Sequence, residues 1–175
     1  MYRVRTLLGP SPVDRAQAAT VNDLALLLGR VAIAALYLPS GFSKLMNLDG
    51  FISQMDGRGV PFAPLFAPLG AIIEFLGGLA LLLGVQVRLA SGLLLVFTVV
   101  ATAIAHRFWE YQGAAERMQQ INFFKNVAIA GGFVFLIAHG GGRWCLEQLW
   151  RRDRRLNPAG RRATDRAAPY PQIPT

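Results

Sequence analysis

The chain has 175 residues, of which 53% are hydrophobic and 16% charged, with a formal net charge of +8. Soluble domains carry about a quarter charged residues, so the shortage argues for lipid rather than water around most of the chain. The one cysteine, Cys145, excludes an internal disulfide, a CxxC redox pair and a cysteine-clustered metal site.

Residues 1–22 hold Arg3, Arg5 and Arg15 with Pro10 and Pro12, and read as a polar lead-in with room for a short surface helix. They lack the apolar stretch and cleavage site of a signal peptide, so the first apolar segment is expected to act as the uncleaved membrane signal. That segment, 24–46, is apolar at nearly every position and long enough for a hydrocarbon core that needs about 20 helical residues. Pro39 lies inside it and is expected to kink it. A loop follows over 47–61, rich in Asp and Gly, and then a second apolar run over 62–83 whose one charge is Glu74. After a tight connection, helix three is expected over 88–106, ending at His106 and Arg107. A polar and aromatic loop leads to helix four over 121–139, with Lys125 near its start and three glycines after it.

Residues 143–156 set Trp144, Leu146, Leu149 and Trp150 among arginines, the pattern of a short helix in the headgroup region, with a plain solvated turn as the alternative. The proline and arginine content of 157–175 argues for a disordered basic tail. The fold class expected is therefore all-α: an integral membrane four-helix bundle over 23–142, with a short interfacial C-terminal helix and a disordered tail. Eight of the eighteen basic residues fall between residues 142 and 166. We read them as orientation signals and contacts to anionic lipid headgroups, not as a nucleic-acid surface. The lead-in and tail hold eleven arginines between them, and the positive-inside rule puts both termini in the cytoplasm and the loops around Asp56 and Glu110 outside.

A charge at the centre of a membrane helix costs about 2.5–3.5 kcal/mol on the insertion scale, so each one needs a reason. Glu74 shares a face with Gly70, Gly77, Gly78 and Leu81, and the glycines mark a face that packs closely on a neighbour. Glu74 is expected to point inward. Arg30, Ala34, Tyr37, Gly41 and Lys44 form a similar stripe on helix one, Arg88, Ser91, Thr98, Thr102 and His106 one on helix three, and Asn122, Lys125, Asn126, Ile129 and Gly132 one on helix four. Four polar stripes imply one polar interior. Depth counting favours Arg30 as the partner of Glu74, reaching along its helix, with Lys44 as the second choice. Lys44, His106, Arg107 and Lys125 gather at the outer end with Asn122 and Asn126, an excess of positive charge suited to an anion or to the polar head of a quinone. Snorkelling lysines and a purely structural ion pair at Glu74 are the plain alternatives. A haem between His106 and His139 is rejected, because the two lie at opposite membrane faces.

Taken in order, Ser40-Gly41-Phe42-Ser43-Lys44, Glu74 with Gly77-Gly78, then Gly84 and Arg88, His106-Arg107-Phe108-Trp109, and Gln120 to Asn126 leading to Gly131-Gly132 resemble the DoxX family over about 24–150. The resemblance implies a four-helix protein of the bacterial cytoplasmic (inner) membrane, in a family named for likeness to the membrane subunit of a thiosulfate:quinone oxidoreductase. Lys44, Glu74, His106, Lys125 and Asn126 match recurring polar positions of that family, and with Arg30 they make the candidate site. Three functions follow as expectations: an accessory or membrane subunit of a quinone-linked redox system; a small anion carrier; or a structural subunit anchoring a larger membrane complex. The chain has no catalytic motif of its own, so electron chemistry would need a bound quinone or a partner.

Overall fold

Ser11 opens the first helix: its hydroxyl accepts from Asp14 N at 3.1 Å, while the Asp14 carboxylate accepts from Ser11 N at 3.1 Å, and Pro12 occupies the first helical position. The computed structural model of the protein describes residues 11–150. Helix α1, Pro12–Met46, has 35 residues and so runs about 52 Å, well beyond a hydrocarbon core of about 30 Å. The lead-in from residue 12 onward is thus a continuation of the first span. Capping at Ser11 and the alanines and leucines that dominate the stretch before Arg30 carry helix propensity straight through it.

The expected loop over 47–61 contains a second helix, α2, Leu48–Asp56, started by Asn47, whose side-chain carbonyl accepts from Gly50 N at 3.2 Å. Helix α3 is Ala63–Leu83, and Gly84 closes it in the left-handed conformation at φ 69°. Helix α4, Val87–Ala105, follows after three residues. A short 3-10 turn, Phe108–Glu110, leads to α5, Ala114–His139, which starts seven residues earlier than its apolar run because 114–120 is made of good helix formers. Residues 146–150 are helical; the rest of the segment expected in the headgroup region and the basic tail lie outside the described residues.

Four of these helices are long and apolar enough to cross a membrane. The protein is an all-α membrane bundle, embedded in lipid. Its exterior fits that solvent: Leu65, Leu69, Leu76, Leu93, Val96, Val99 and Phe135 all face outward. The helices pack in the cyclic order α1, α3, α4, α5, with α1 closest to α3 and α5 closest to α4. We call the end holding Asp23 and Gly142 proximal and the other distal.

The α1–α3 register is set at Gly41. A Cβ there would lie 2.6 Å from Phe75 N and 2.9 Å from Phe75 Cα, so two backbones touch. Tyr37 and Leu38 then pack on Gly78, and on the other side of α3 Leu94 fills the notch at Gly77. Gly41→Ala is expected to cost about 1–3 kcal/mol by overpacking, measured as a lowered unfolding midpoint in detergent. An unchanged midpoint would mean that α1 and α3 part easily.

Candidate functional site

Glu74 sits eleven residues into α3, about 16 Å from its start and near the membrane midplane. It is 4% exposed and points into the bundle. Its partner is Lys44 of α1, whose Nζ donates to Glu74 Oε2 and, at 2.9 Å, to Ser40 Oγ. The ring of Phe51 on α2 lies over the same ammonium, 5.3 Å from its centroid. The side chain of Lys44 keeps 27% exposure, so the pair is buried at its acidic end and open at its basic end.

Beside this pair runs a hydroxyl network with a fixed direction. Thr98 Oγ1 donates to Leu94 O at 2.6 Å, which commits its hydrogen, so the Tyr37 phenol donates across to Thr98 Oγ1 at 2.5 Å. One turn on, Thr102 Oγ1 donates to Thr98 O at 2.6 Å and accepts from Asn126 Nδ2 at 2.9 Å. Glu74 lies one turn along α3 from Gly78, on which Tyr37 packs. Side chains of α1, α3, α4 and α5 therefore meet in one polar layer inside the hydrocarbon, where each unmet polar group would be costly.

Arg30 is not part of that layer, which corrects the expected Arg30–Glu74 pairing. It lies fourteen residues proximal to Lys44 on α1, about 21 Å away along the axis. Completely buried, it donates through Nη1 to Leu81 O at 3.3 Å and through Nη2 to Trp144 O at 2.6 Å. Leu81 O, near the end of α3, also accepts from Gly84 N at 3.2 Å, so the guanidinium is a second donor at that helix's negative pole. Gly84 makes room for it: a Cβ there would run into Arg30 Nη1 and lie 2.8 Å from Cys145 Cα. The chain after α5 is latched beside it, with Arg143 N donating to Asp23 Oδ1 at 2.9 Å and Glu147 N to Gly84 O at 3.4 Å.

The other candidates divide in the same way. His106 ends α4, its Nδ1 2.8 Å from Gln119 Oε1; because the amide oxygen only accepts, Nδ1 carries the hydrogen and Nε2 is left for another partner. Lys125 is exposed and donates to Asn122 Oδ1 at 2.9 Å on its own helix, away from the layer. Arg107 pairs with Glu110 at 3.0 Å in the distal loop, beside the edge-on rings of Phe108, Trp109 and Phe123.

The family model for DoxX matches residues 25–107. Among curated relatives, inner membrane protein YphA of Escherichia coli is 32% identical over 127 residues, covering 73% of this chain and 91% of that protein. The chain belongs to the DoxX family. Inner membrane protein YqjF of Escherichia coli is 30% identical over 129 residues, covering 74% of this chain and 94% of the relative. The uncharacterized membrane protein Rv3486 of Mycobacterium tuberculosis is 26% identical over 147 residues, covering 76% and 84%. No solved structure matches the chain. The DoxX match takes in Arg30, Lys44, Glu74 and His106 and stops before Lys125 and Asn126.

Asp23 and Gln119 were not singled out from the sequence. Both are polar residues in long helices with no motif around them, and each acquires its role from a partner distant in the chain: Arg143 and His106, respectively. Tyr37, Ser40, Thr98 and Thr102 stood in the stripes or the motif, but nothing in their spacing distinguishes a cross-helix hydrogen bond from packing.

Proposed function

We propose that this chain is a membrane subunit of a quinone-linked redox system in the bacterial cytoplasmic membrane, with both termini cytoplasmic and the distal end outside. The observation that carries the reading is the Lys44–Glu74 pair: a buried carboxylate at lipid depth whose cation remains partly open. The residues suit a quinone head. Lys44 uses two of its three N–H groups on Glu74 and Ser40, Glu74 Oε1 has no hydrogen bond among the described residues, and the Tyr37 oxygen keeps a free lone pair. That is one donor and two acceptors within one polar layer.

A bound quinone supplies a two-electron, two-proton couple, with the electrons coming from a partner protein. This chain's part is to hold and orient. Lys44 donates to a carbonyl oxygen of the head, and Glu74 holds or releases a proton next to it, its charge balanced by Lys44. His106, with Nε2 left for a partner, stands one turn distal to Thr102 and suits proton exchange with the outer face. Basic residues after Arg151 would rest on anionic headgroups.

Purified protein is expected to retain quinone, extractable and countable per chain, and Glu74→Gln to lower that content at least about tenfold, equivalent to about 1.4 kcal/mol of affinity. Protein without quinone, or a Glu74→Gln variant that keeps its full share, would remove this reading. One observation favours the structural alternative, a subunit anchoring a larger complex: the first turns of α1 run past the span with residues 11–22 fully outward. Co-purification of a complex that survives substitution of Lys44 and Glu74 would favour it. The anion-carrier reading loses a stepping site, since Arg30 is sealed between two carbonyls.

A further inference from the structure

We infer that the Lys44–Glu74 site is reached sideways from the hydrocarbon, through a cleft between α1 and α5 in the distal half of the bundle. This rests on the site binding a ligand, as proposed above, and names the route and the chemical class.

The proximal half of the bundle is closed: Arg30, Ala34, Leu81, Ser91 and Leu94 are completely buried. There α1 and α5 meet, with the Tyr37 and Phe133 rings edge-on at 5.6 Å and Ile33 against Gly132. Distal to that contact no hydrogen bond, ion pair or ring contact among the described residues joins the two helices. Gly41 draws α1 onto α3, while Asn126–Thr102, His106–Gln119 and Phe108–Phe123 hold α5 and its preceding turn to α4. As a result α5 buries nothing before Phe133, and its inward residues Asn122, Asn126 and Ile129 stay half-exposed.

The shape specifies the ligand. The wall behind the opening is the polar layer, and exposed apolar side chains border it, Leu36 on α1 and Ile121 on the Gly132 face of α5, with the exposed Lys125 on that same face. Toward the distal surface Lys44 is roofed by Phe51 of α2, so the open side faces acyl chains. A molecule dissolved in lipid, with a hydrogen-bonding head and an apolar tail, satisfies both surfaces; a water-soluble ion satisfies neither the apolar border nor the roof.

The test uses the full chain with Cys145→Ser, reconstituted in phosphatidylethanolamine and phosphatidylglycerol vesicles. Single cysteines at Asn126, Val127 and Leu94 carry a small trifluoroethylthio group, and the fluorine shift caused by dissolved oxygen reports contact with acyl chains. Val127 is the lipid-facing reference one residue away, and Leu94 the buried reference. Asn126→Cys is expected to read nearer the Val127 value than the Leu94 value, and a shift nearer Leu94 overturns the cleft. Ile129→Cys repeats the measurement should the Asn126 variant fold poorly. No quinone enters this test. A lipid-like signal in a protein that retains no quinone leaves the cleft standing for another lipid-dissolved ligand, whereas retained quinone with a shielded Asn126 removes the cleft and leaves the site.

Discussion

Arg30→Ala is expected to lower the stability of the folded protein by about 3–5 kcal/mol, seen as a large drop in the unfolding midpoint in detergent. Two terms add. Trp144 O loses its side-chain donor and Leu81 O keeps only Gly84 N, together costing about 1–3 kcal/mol. The long side chain, completely buried, leaves a void that costs about 2–5 kcal/mol in comparable truncations. Against them stands relief from burying a cation with no carboxylate beside it among the described residues, which keeps the net below the sum. Arg30→Leu separates the terms, because it refills most of the volume and supplies no donor to either carbonyl. It is expected to recover only part of the loss. Full recovery would show that Arg30 acts as filler and that its hydrogen bonds contribute nothing.

Lys44→Met, which keeps the length of the side chain and removes the charge, is expected to cost about 2–4 kcal/mol, since it leaves a carboxylate inside the bundle without its cation. The double variant Lys44→Met with Glu74→Leu is expected to regain most of that stability. Apolar residues of similar volume commonly replace a buried ion pair at little cost, and two residues in contact couple strongly in a double-mutant cycle. The same double variant should hold no quinone. A stable fold with an empty site would separate the pair's chemistry from its structural weight. If the double variant is as unstable as the single one, the pair acts on fold architecture, and the structural reading of Glu74 gains ground.

Arg30 and Lys44, both on α1, show how far residues alone carry the reading. Both stood on one stripe with Tyr37, and their inward direction followed from helix periodicity and the cost of charge in lipid. Which of them meets Glu74 depended on the sliding register between two antiparallel helices, and periodicity along one helix carries no information about that. The register comes from the contact of Gly41 with the Phe75 backbone, which brings Lys44 level with Glu74 and leaves Arg30 near the end of α3. Lys125 illustrates the complementary case. Its stripe faces α4 in general, but Lys125 itself is exposed and bonds along its own helix, where Asn122 one turn away offers an acceptor.

Hydrocarbon as solvent is severe enough that local composition decided much by itself. Runs of apolar residues had to be helices, since a spanning backbone must satisfy its own hydrogen bonds, and the rare intramembrane charges had to turn inward. Contacts between residues far apart in the chain were decided only by the packed bundle: the Lys44–Glu74 pair, the Tyr37–Thr98 and Thr102–Asn126 bonds, and the placing of Arg30 at the end of α3. These depend on how close two helices come and at what height, which small residues such as Gly41 and Gly78 set through backbone approach distances of a few ångströms. No one-dimensional pattern encodes such distances.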